Sequence, residues 1–191
     1  MKREQGRQAR RRARRMTAES LKEAIRNVPG FPKQGIVFRD ITTLLKQGPD
    51  FARTIDAIAS NYDPAKVDLV LGIESRGFIL GGALAYKWGC GFVPARKPGK
   101  LPVSVHREEY ALEYGTDAIE IHKDAIELGA SVLIVDDLLA TGGTARAAAG
   151  LVEKAGGAVL GFAFLIELAY LNGRDKISGY PILSLVTYHE E

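Results

Sequence analysis

The sequence predicts an α/β protein, a parallel sheet of about five strands with helices on both faces. Three observations lead there. Short, nearly continuous apolar runs occupy 67–73, 91–96, 131–137, 159–168 and 182–188, the texture of strands buried on both faces. Helical periodicity fills the gaps after the first and third runs. Glycine-rich, acidic or cationic segments stand where the first three runs end, and open parallel sheets present their ligands at the carboxyl ends of strands.

In chain order, Thr17 can cap a first helix whose Leu21, Ala24, Ile25 and Val28 share one face, and Pro29-Gly30 ends it. Phe31 to Ile41 reads as a loop or short extended segment. A second helix fits Pro49 to Tyr62, with Phe51, Ile55, Ile58 and Ala59 on one stripe. Val67–Ile73 is the first strand, and a helix from Gly77 to Gly89 follows it. That helix is apolar nearly all round (Phe78, Ile79, Leu80, Ala83, Leu84, Ala85, Trp88), so something must bury it. Gly91–Arg96 is the second strand. Residues 98–127 break the alternation and read as a long loop with a polar hairpin, Tyr110–Tyr114 against Ala118–His122. Ser131–Asp137, a Gly/Thr turn and a helix from Thr144 to Ala155 come next, followed by strands at Val159–Leu168 and Ile182–Tyr188.

Composition narrows the class. A chain of 191 residues, 46% hydrophobic and 26% charged, suits one soluble domain and needs no covalent staple. The single cysteine, Cys90, excludes a disulfide framework and a cysteine-built zinc site. No run of about 18 uncharged apolar residues predicts a membrane span. The net charge of +3 is uneven: residues 1–15 hold eight bases and one acid, +7, which leaves −4 for residues 16–191. The basic segment fits a nucleic-acid arm, an organelle presequence without serine, or a solvated extension ahead of a start at Met16. A secretory signal is excluded, because the segment has no apolar core.

The densest chemistry is Val132-Leu-Ile-Val-Asp-Asp-Leu-Leu-Ala-Thr-Gly-Gly-Thr144. Asp136 and Asp137 end an apolar run, so they must meet solvent, a cation or donor groups. Ala140, Thr141, Gly142, Gly143 and Thr144 then open a helix. Glycines let backbone N–H groups converge, the helix N-terminus adds positive potential, and the threonines add hydroxyls, which together make a phosphate cradle. It is neither a nucleoside-triphosphate loop nor a dinucleotide fingerprint. Two carboxylates beside it suit the vicinal hydroxyls of a ribose, so the segment describes a ribose 5-phosphate site. The other reading is a capped helix after an ordinary turn.

This segment resembles the phosphoribosyl-pyrophosphate signature of type I phosphoribosyltransferases, in its adenine phosphoribosyltransferase form. Phe31-Pro-Lys-Gln-Gly-Ile-Val-Phe-Arg-Asp-Ile41 resembles that family's purine-contact loop. Glu74-Ser-Arg-Gly-Phe78 resembles its pyrophosphate loop, where an aspartate is also common at the position of Glu74. Ala95-Arg-Lys-Pro-Gly-Lys-Leu-Pro102 and Leu112-Glu-Tyr-Gly115 resemble the two ends of its mobile loop. The likeness runs from Pro29 to Tyr188 and leaves out residues 1–15.

The resemblance implies a type I phosphoribosyltransferase fold over residues 16–191, with a hood at 29–45 and a mobile loop at about 98–117. It implies that adenine and phosphoribosyl pyrophosphate give AMP and pyrophosphate with magnesium, in a cytoplasmic homodimer. Glu74, Ser75, Arg76, Arg96, Lys97 and Lys100 are then the pyrophosphate set, the cations acting where negative charge develops on the leaving group. Magnesium would bridge substrate oxygens and waters without a carboxylate cage. Glu113 is the expected proton donor to purine N7, with Arg76 and Lys100 beside it as catalytic groups. Backbone groups of Val37 to Arg39 would read the adenine edge, Phe38 would stack on the ring, and Leu168 would cover the other face. A strained or cis peptide is implied beside Ser75. His106 and His122 are expected to be structural.

Two other functions remain open at this point. One is a ligand-sensing, nucleic-acid-binding regulator, against which the cations of 95–100 and Glu113 argue. The other is a xanthine- or orotate-type transferase. The 6-oxopurine pattern, with a lysine after an apolar strand, is missing from Leu165-Ile-Glu-Leu168.

Overall fold

The computed structural model of the protein describes residues 18–111 and 115–190. The expected cap Thr17 and the expected acid Glu113 lie outside the described residues.

Helix α1 (Ala18–Ala24) leads into an antiparallel pair, β1 (Arg26–Pro29) and β2 (Val37–Asp40), then α2 (Thr42–Leu45) and α3 (Gly48–Ala59). Strand β3 (Leu69–Ile73), helix α4 (Arg76–Trp88) and strand β4 (Gly91–Ala95) follow. Next come the hairpin β5 (Val105–Ala111) and β6 (Thr116–His122), strand β7 (Ser131–Leu139), helix α5 (Gly143–Lys154), and strands β8 (Ala158–Leu168) and β9 (Ile182–Tyr188). The five-stranded sheet has the order β4-β3-β7-β8-β9, and every pairing in it is parallel. This is the fold class expected from the sequence.

Alternation along the strands feeds two cores. In β7, Leu133 and Val135 join the cluster of Leu44, Ile58, Leu80 and Leu84, whereas Val132 and Ile134 join that of Ile119, Ile121, Ala148 and Leu151. Helices α1 to α4 therefore cover one face, and α5 with the hairpin covers the other. Both core faces explain why the strands read as unbroken apolar runs.

Four expectations change. The first helix stops at Ala24, and Val28 lies in β1 instead of on the helix face. Gly30, at φ +75°, closes the turn by donating its N–H to the Ile36 carbonyl at 2.8 Å, so pairing with β2 captures residues that a helical pattern would claim. The short helix α2, with Leu44 wholly buried, carries too few residues to show a period. Helix α3 ends at Ala59, three residues before Tyr62. The hairpin expected at Tyr110–Tyr114 against Ala118–His122 is longer on its first strand: β5 begins at Val105 and pairs in register through Ala111 with β6. The half-buried positions of β5 include His106 and Glu108, so the strand shows no period-2 apolar pattern.

Candidate active site

The site is built at the carboxyl ends of β3, β4 and β7. Strand β7 runs to Leu139, so Asp136 and Asp137 are the sixth and seventh of its nine residues, inside the strand, and their side chains take opposite faces. Asp137 is only 5% exposed, and its carboxylate receives the Nε–H of Arg76, the first residue of α4. Asp136 is partly buried, and its Oδ1 accepts the backbone N–H of Asp137 at 2.8 Å. Burial and the neighbouring Asp137 charge hold the Asp136 carboxyl well above the usual carboxylate range. At Arg76, burial opposes the charge, but Asp137, Asp136 and Asp40 outweigh it and raise the guanidinium pKa.

These groups are close because Gly77 has no side chain. A Cβ there would lie 2.7 Å from the Val135 carbonyl oxygen and 3.0 Å from Asp136 Oδ1, so α4 starts directly against the end of β7. The peptide joining Glu74 to Ser75 is cis, beside Ser75 as the resemblance implied, and Phe31–Pro32 is also cis.

Ala140 to Thr144 wrap a cavity of about 70 Å3, which Asp136, Leu138, Leu139 and Phe164 also line. Gly142 has φ +77° and precedes the first turn of α5. Its backbone packs on Gly173, where a Cβ would fall 2.2 Å from the carbonyl oxygen. Gly173 was missed by sequence reasoning, although Asn172-Gly173 is a turn signal and Asn172 takes φ +52°.

Glu74, the residue after β3, brackets the cations that follow β4. Its carboxylate accepts the Lys97 backbone N–H at 2.8 Å and the Arg96 Nε–H at 3.3 Å. Burial would raise the Glu74 pKa, but the Lys97 N–H, Arg96 and Lys100 outweigh it and lower it. Arg96 also donates to the Lys100 carbonyl at 3.2 Å, and Lys100 itself is exposed. Lys97 is engaged by the hairpin: its Nζ donates to Tyr110 OH at 2.8 Å and pairs with Asp117. Buried Glu120 accepts the Gly99 N–H at 3.1 Å. Tyr110, Asp117 and Glu120 escaped sequence reasoning, since only the fold brings β5 and β6 to the β4 loop.

The hood places Val37, Phe38 and Arg39 on β2. Phe38 meets Phe31 edge-on at 5.3 Å, and the Arg76 guanidinium lies 5.7 Å from the Phe38 ring. Arg76 thereby touches both the carboxylate pair and the hood. Arg39 stacks at 4.0 Å on the ring of Tyr188. Leu168, at the end of β8, is 8% exposed and packs mainly into the core, so little of it is left to cover a base. Next to it, Glu167 forms a two-point pair with Arg174, Nε to Oε1 at 2.6 Å and Nη2 to Oε2 at 2.7 Å. His106 and His122 both lie in the hairpin, with no role at this site.

An acidic pair, a glycine turn at a helix N-terminus and a bracketed set of cations, all on one sheet edge, define a protein that handles a phosphorylated ribose bearing a second anionic group. Comparison with known proteins agrees. The family model described as phosphoribosyl transferase domain matches residues 42–183. The adenine phosphoribosyltransferase of Gloeobacter violaceus is 59% identical over 169 residues, 88% of this chain and 99% of its own. The crystal structure of that of Thermoanaerobacter pseudethanolicus is 53% identical, with a TM-score of 0.87 over 90% of this chain and 100% of its own. The Saccharomyces cerevisiae structure, complexed with adenine and an imino-altritol bisphosphate, is 43% identical, with a TM-score of 0.85 over 88% and 98%. The chain belongs to the adenine phosphoribosyltransferase family.

Proposed function

We propose that the chain transfers the phosphoribosyl group of phosphoribosyl pyrophosphate to adenine, giving AMP and pyrophosphate. The observation that carries it is the position of Arg76, between the Asp136-Asp137 pair that ends in the phosphate cradle and the Phe38 of the hood. In this reading the 140–144 turn holds the 5-phosphate and the two carboxylates hold the ribose hydroxyls. Adenine N9 forms its bond to ribose C1 as the bond from C1 to the pyrophosphate oxygen breaks, and the pyrophosphate takes the electron pair. Arg76, Arg96, Lys97 and Lys100, with the N–H groups around Ser75, face that growing negative charge. Glu74 contributes by holding Arg96 and the Lys97 backbone in place. Backbone groups of Val37 to Arg39 read the adenine edge and Phe38 stacks on it. Protonating N7 would draw electrons from N9, so Glu113 works in the opposite sense to the expected donor: as a carboxylate it accepts the N7 proton of the 7H tautomer, which frees the N9 lone pair for attack and leaves a neutral product.

Magnesium fits as part of the substrate complex. Among the described residues no three His, Cys, Asp or Glu side chains converge on one point, and the carboxylates beside the glycine turn are the adjacent Asp136 and Asp137. Such a pair suits an ion held chiefly by substrate oxygens and water. Bound there, magnesium would neutralise pyrophosphate charge.

A homodimer joined through α4 follows from the same reading. The structure buries Leu80, Leu84 and Ala85 of that helix but leaves Ile79 43% and Tyr86 91% exposed, and Phe92 of β4, 36% exposed, meets Phe78 of the same helix edge-on. Such a row of exposed apolar groups fits a second copy. A cytoplasmic enzyme is the accompanying proposal; no helix of the described residues is long and apolar enough to cross a membrane. Pyrophosphate release, measured with adenine, hypoxanthine, guanine, xanthine and orotate in the presence of magnesium, tests the reading. Release with adenine alone is expected, and equal or greater release with any other base would overturn it.

A further inference from the structure

We propose that Tyr110 is a positioning residue for phosphoribosyl pyrophosphate, linking the Lys97 ammonium on one side of the site to the phosphate turn on the other. The inference rests on the roles given above to Lys97 and to the 140–144 turn, and it goes beyond them in naming what couples the two.

Tyr110 reaches both subsites from the hairpin. It stands opposite Asp117 in the register of β5 and β6, so the two side chains share a face. Both meet the same ammonium. Lys97 Nζ donates to the Tyr110 hydroxyl at 2.8 Å and pairs with Asp117, while that hydroxyl donates in turn to Asp117 Oδ2 at 3.3 Å. Each proton in the triangle has an acceptor. The ring of Tyr110 continues to the turn: a Cβ on Gly143 would come within 3.2 Å of its Cδ2 and 3.4 Å of the Ala111 carbonyl oxygen. The first residue of α5 is thus glycine where the hairpin rests on the phosphate cradle, and Gly143 itself lines the cavity. Farther along α5, Lys154 pairs with Glu108 at 2.9 Å and donates to the Arg107 carbonyl at 3.0 Å, which fixes the same strand to the same helix.

Lys97 is accordingly held at both ends, its backbone N–H by Glu74 and its Nζ by the hairpin. A lysine stem has many rotamers, and ordering it before the substrate arrives removes that cost from binding. The hydroxyl shares the ammonium with Asp117, so the cation is ordered without resting on a single carboxylate partner. Ion-pair geometry supports this arrangement: the Lys97 partner holds the Asp117 pKa down.

The test compares Tyr110→Phe, Tyr110→Ala, Lys97→Met and the Tyr110→Phe/Lys97→Met double variant in steady-state kinetics with each substrate varied, alongside thermal unfolding. Tyr110→Phe is expected to raise the KM for phosphoribosyl pyrophosphate roughly three- to tenfold, the worth of one hydrogen bond, and to leave the KM for adenine unchanged. Tyr110→Ala, which also loses the ring on Gly143, should raise it further, so that the phenyl ring partly rescues. In the Lys97→Met background, Tyr110→Phe should add nothing. Additive effects, or equal rises in both KM values with a lowered melting temperature, overturn the linkage and leave Tyr110 a packing residue. If Lys97→Met raises the KM but neither Tyr110 variant does, only the linkage falls. An unchanged KM in Lys97→Met removes the assignment of Lys97 itself, and the linkage falls with it.

Discussion

Replacing Asp136 with Asn is expected to make the protein more stable and much less active. Asp136 Oδ1 accepts the Asp137 N–H at 2.8 Å, a bond that an Asn carbonyl oxygen keeps, so the change removes a charge and little else. Burial and the Asp137 charge raise the Asp136 pKa above the ordinary carboxylate value. The folded chain therefore binds this proton more tightly than the unfolded chain does. Stability from that proton is full below the unfolded pKa, about 4, and is lost as pH rises through the raised folded value. At neutral pH the native protein carries the penalty and the Asn variant does not. The opposing loss, one acidic neighbour of Arg76, is small because Asp137 keeps its hydrogen bond to the guanidinium. Relief of such a site is typically worth about 0.5–2 kcal/mol, and for a chain of this size each kcal/mol moves the melting temperature about 2–4 °C. Turnover should fall roughly a hundredfold or more, since a charge that grips the ribose matters most when the ring becomes cationic. Thermal unfolding of both proteins between about pH 5 and pH 8 should show a gap that widens with pH. A variant less stable than the native protein at the upper end, or a gap independent of pH, would refute the electrostatic argument. Turnover within tenfold of native would remove the ribose assignment.

The other predictions concern the turn, Glu113 and the tail. Gly142→Ala should cost roughly 2–5 kcal/mol of stability, from left-handed backbone strain and overlap with the Gly173 carbonyl; denaturant unfolding measures it, and a loss below about 1 kcal/mol would mean that the two backbones separate easily. Glu113→Gln should lower kcat roughly tenfold or more with both KM values little changed, measured in single turnover so that product release cannot hide the chemical step. Equal rates for native, Glu113→Gln and Glu113→Ala would leave the cations as the main device. Deleting residues 1–15 should leave turnover unchanged; a large drop in activity or melting temperature would show that this segment belongs to the working structure.

Much of this protein was legible from the chain alone. The sheet strands are buried on both faces, so they announce themselves as apolar runs; the last, Ile182–Tyr188, matches the structure residue for residue. The turn read as a phosphate cradle is equally local: Asp136 to Thr144 are contiguous, and Ala140 to Thr144 do line a cavity at the start of α5. What only the tertiary structure decided involves pairs far apart in sequence. Arg76 meets Asp137 across 61 residues because parallel strands end at one edge, and Lys97 meets Asp117 across 20 because the antiparallel bridge of Arg96 with Glu120 seats the hairpin on the end of β4. The sequence shows those cations as candidates for an anion, whereas the fold shows them already engaged by carboxylates. It also turns Val28 from a helix residue into a strand residue and withdraws Leu168 into the core. Local pattern fixes what a segment can become. Long-range packing fixes which partner it meets, and neither periodicity nor residue type records that distance.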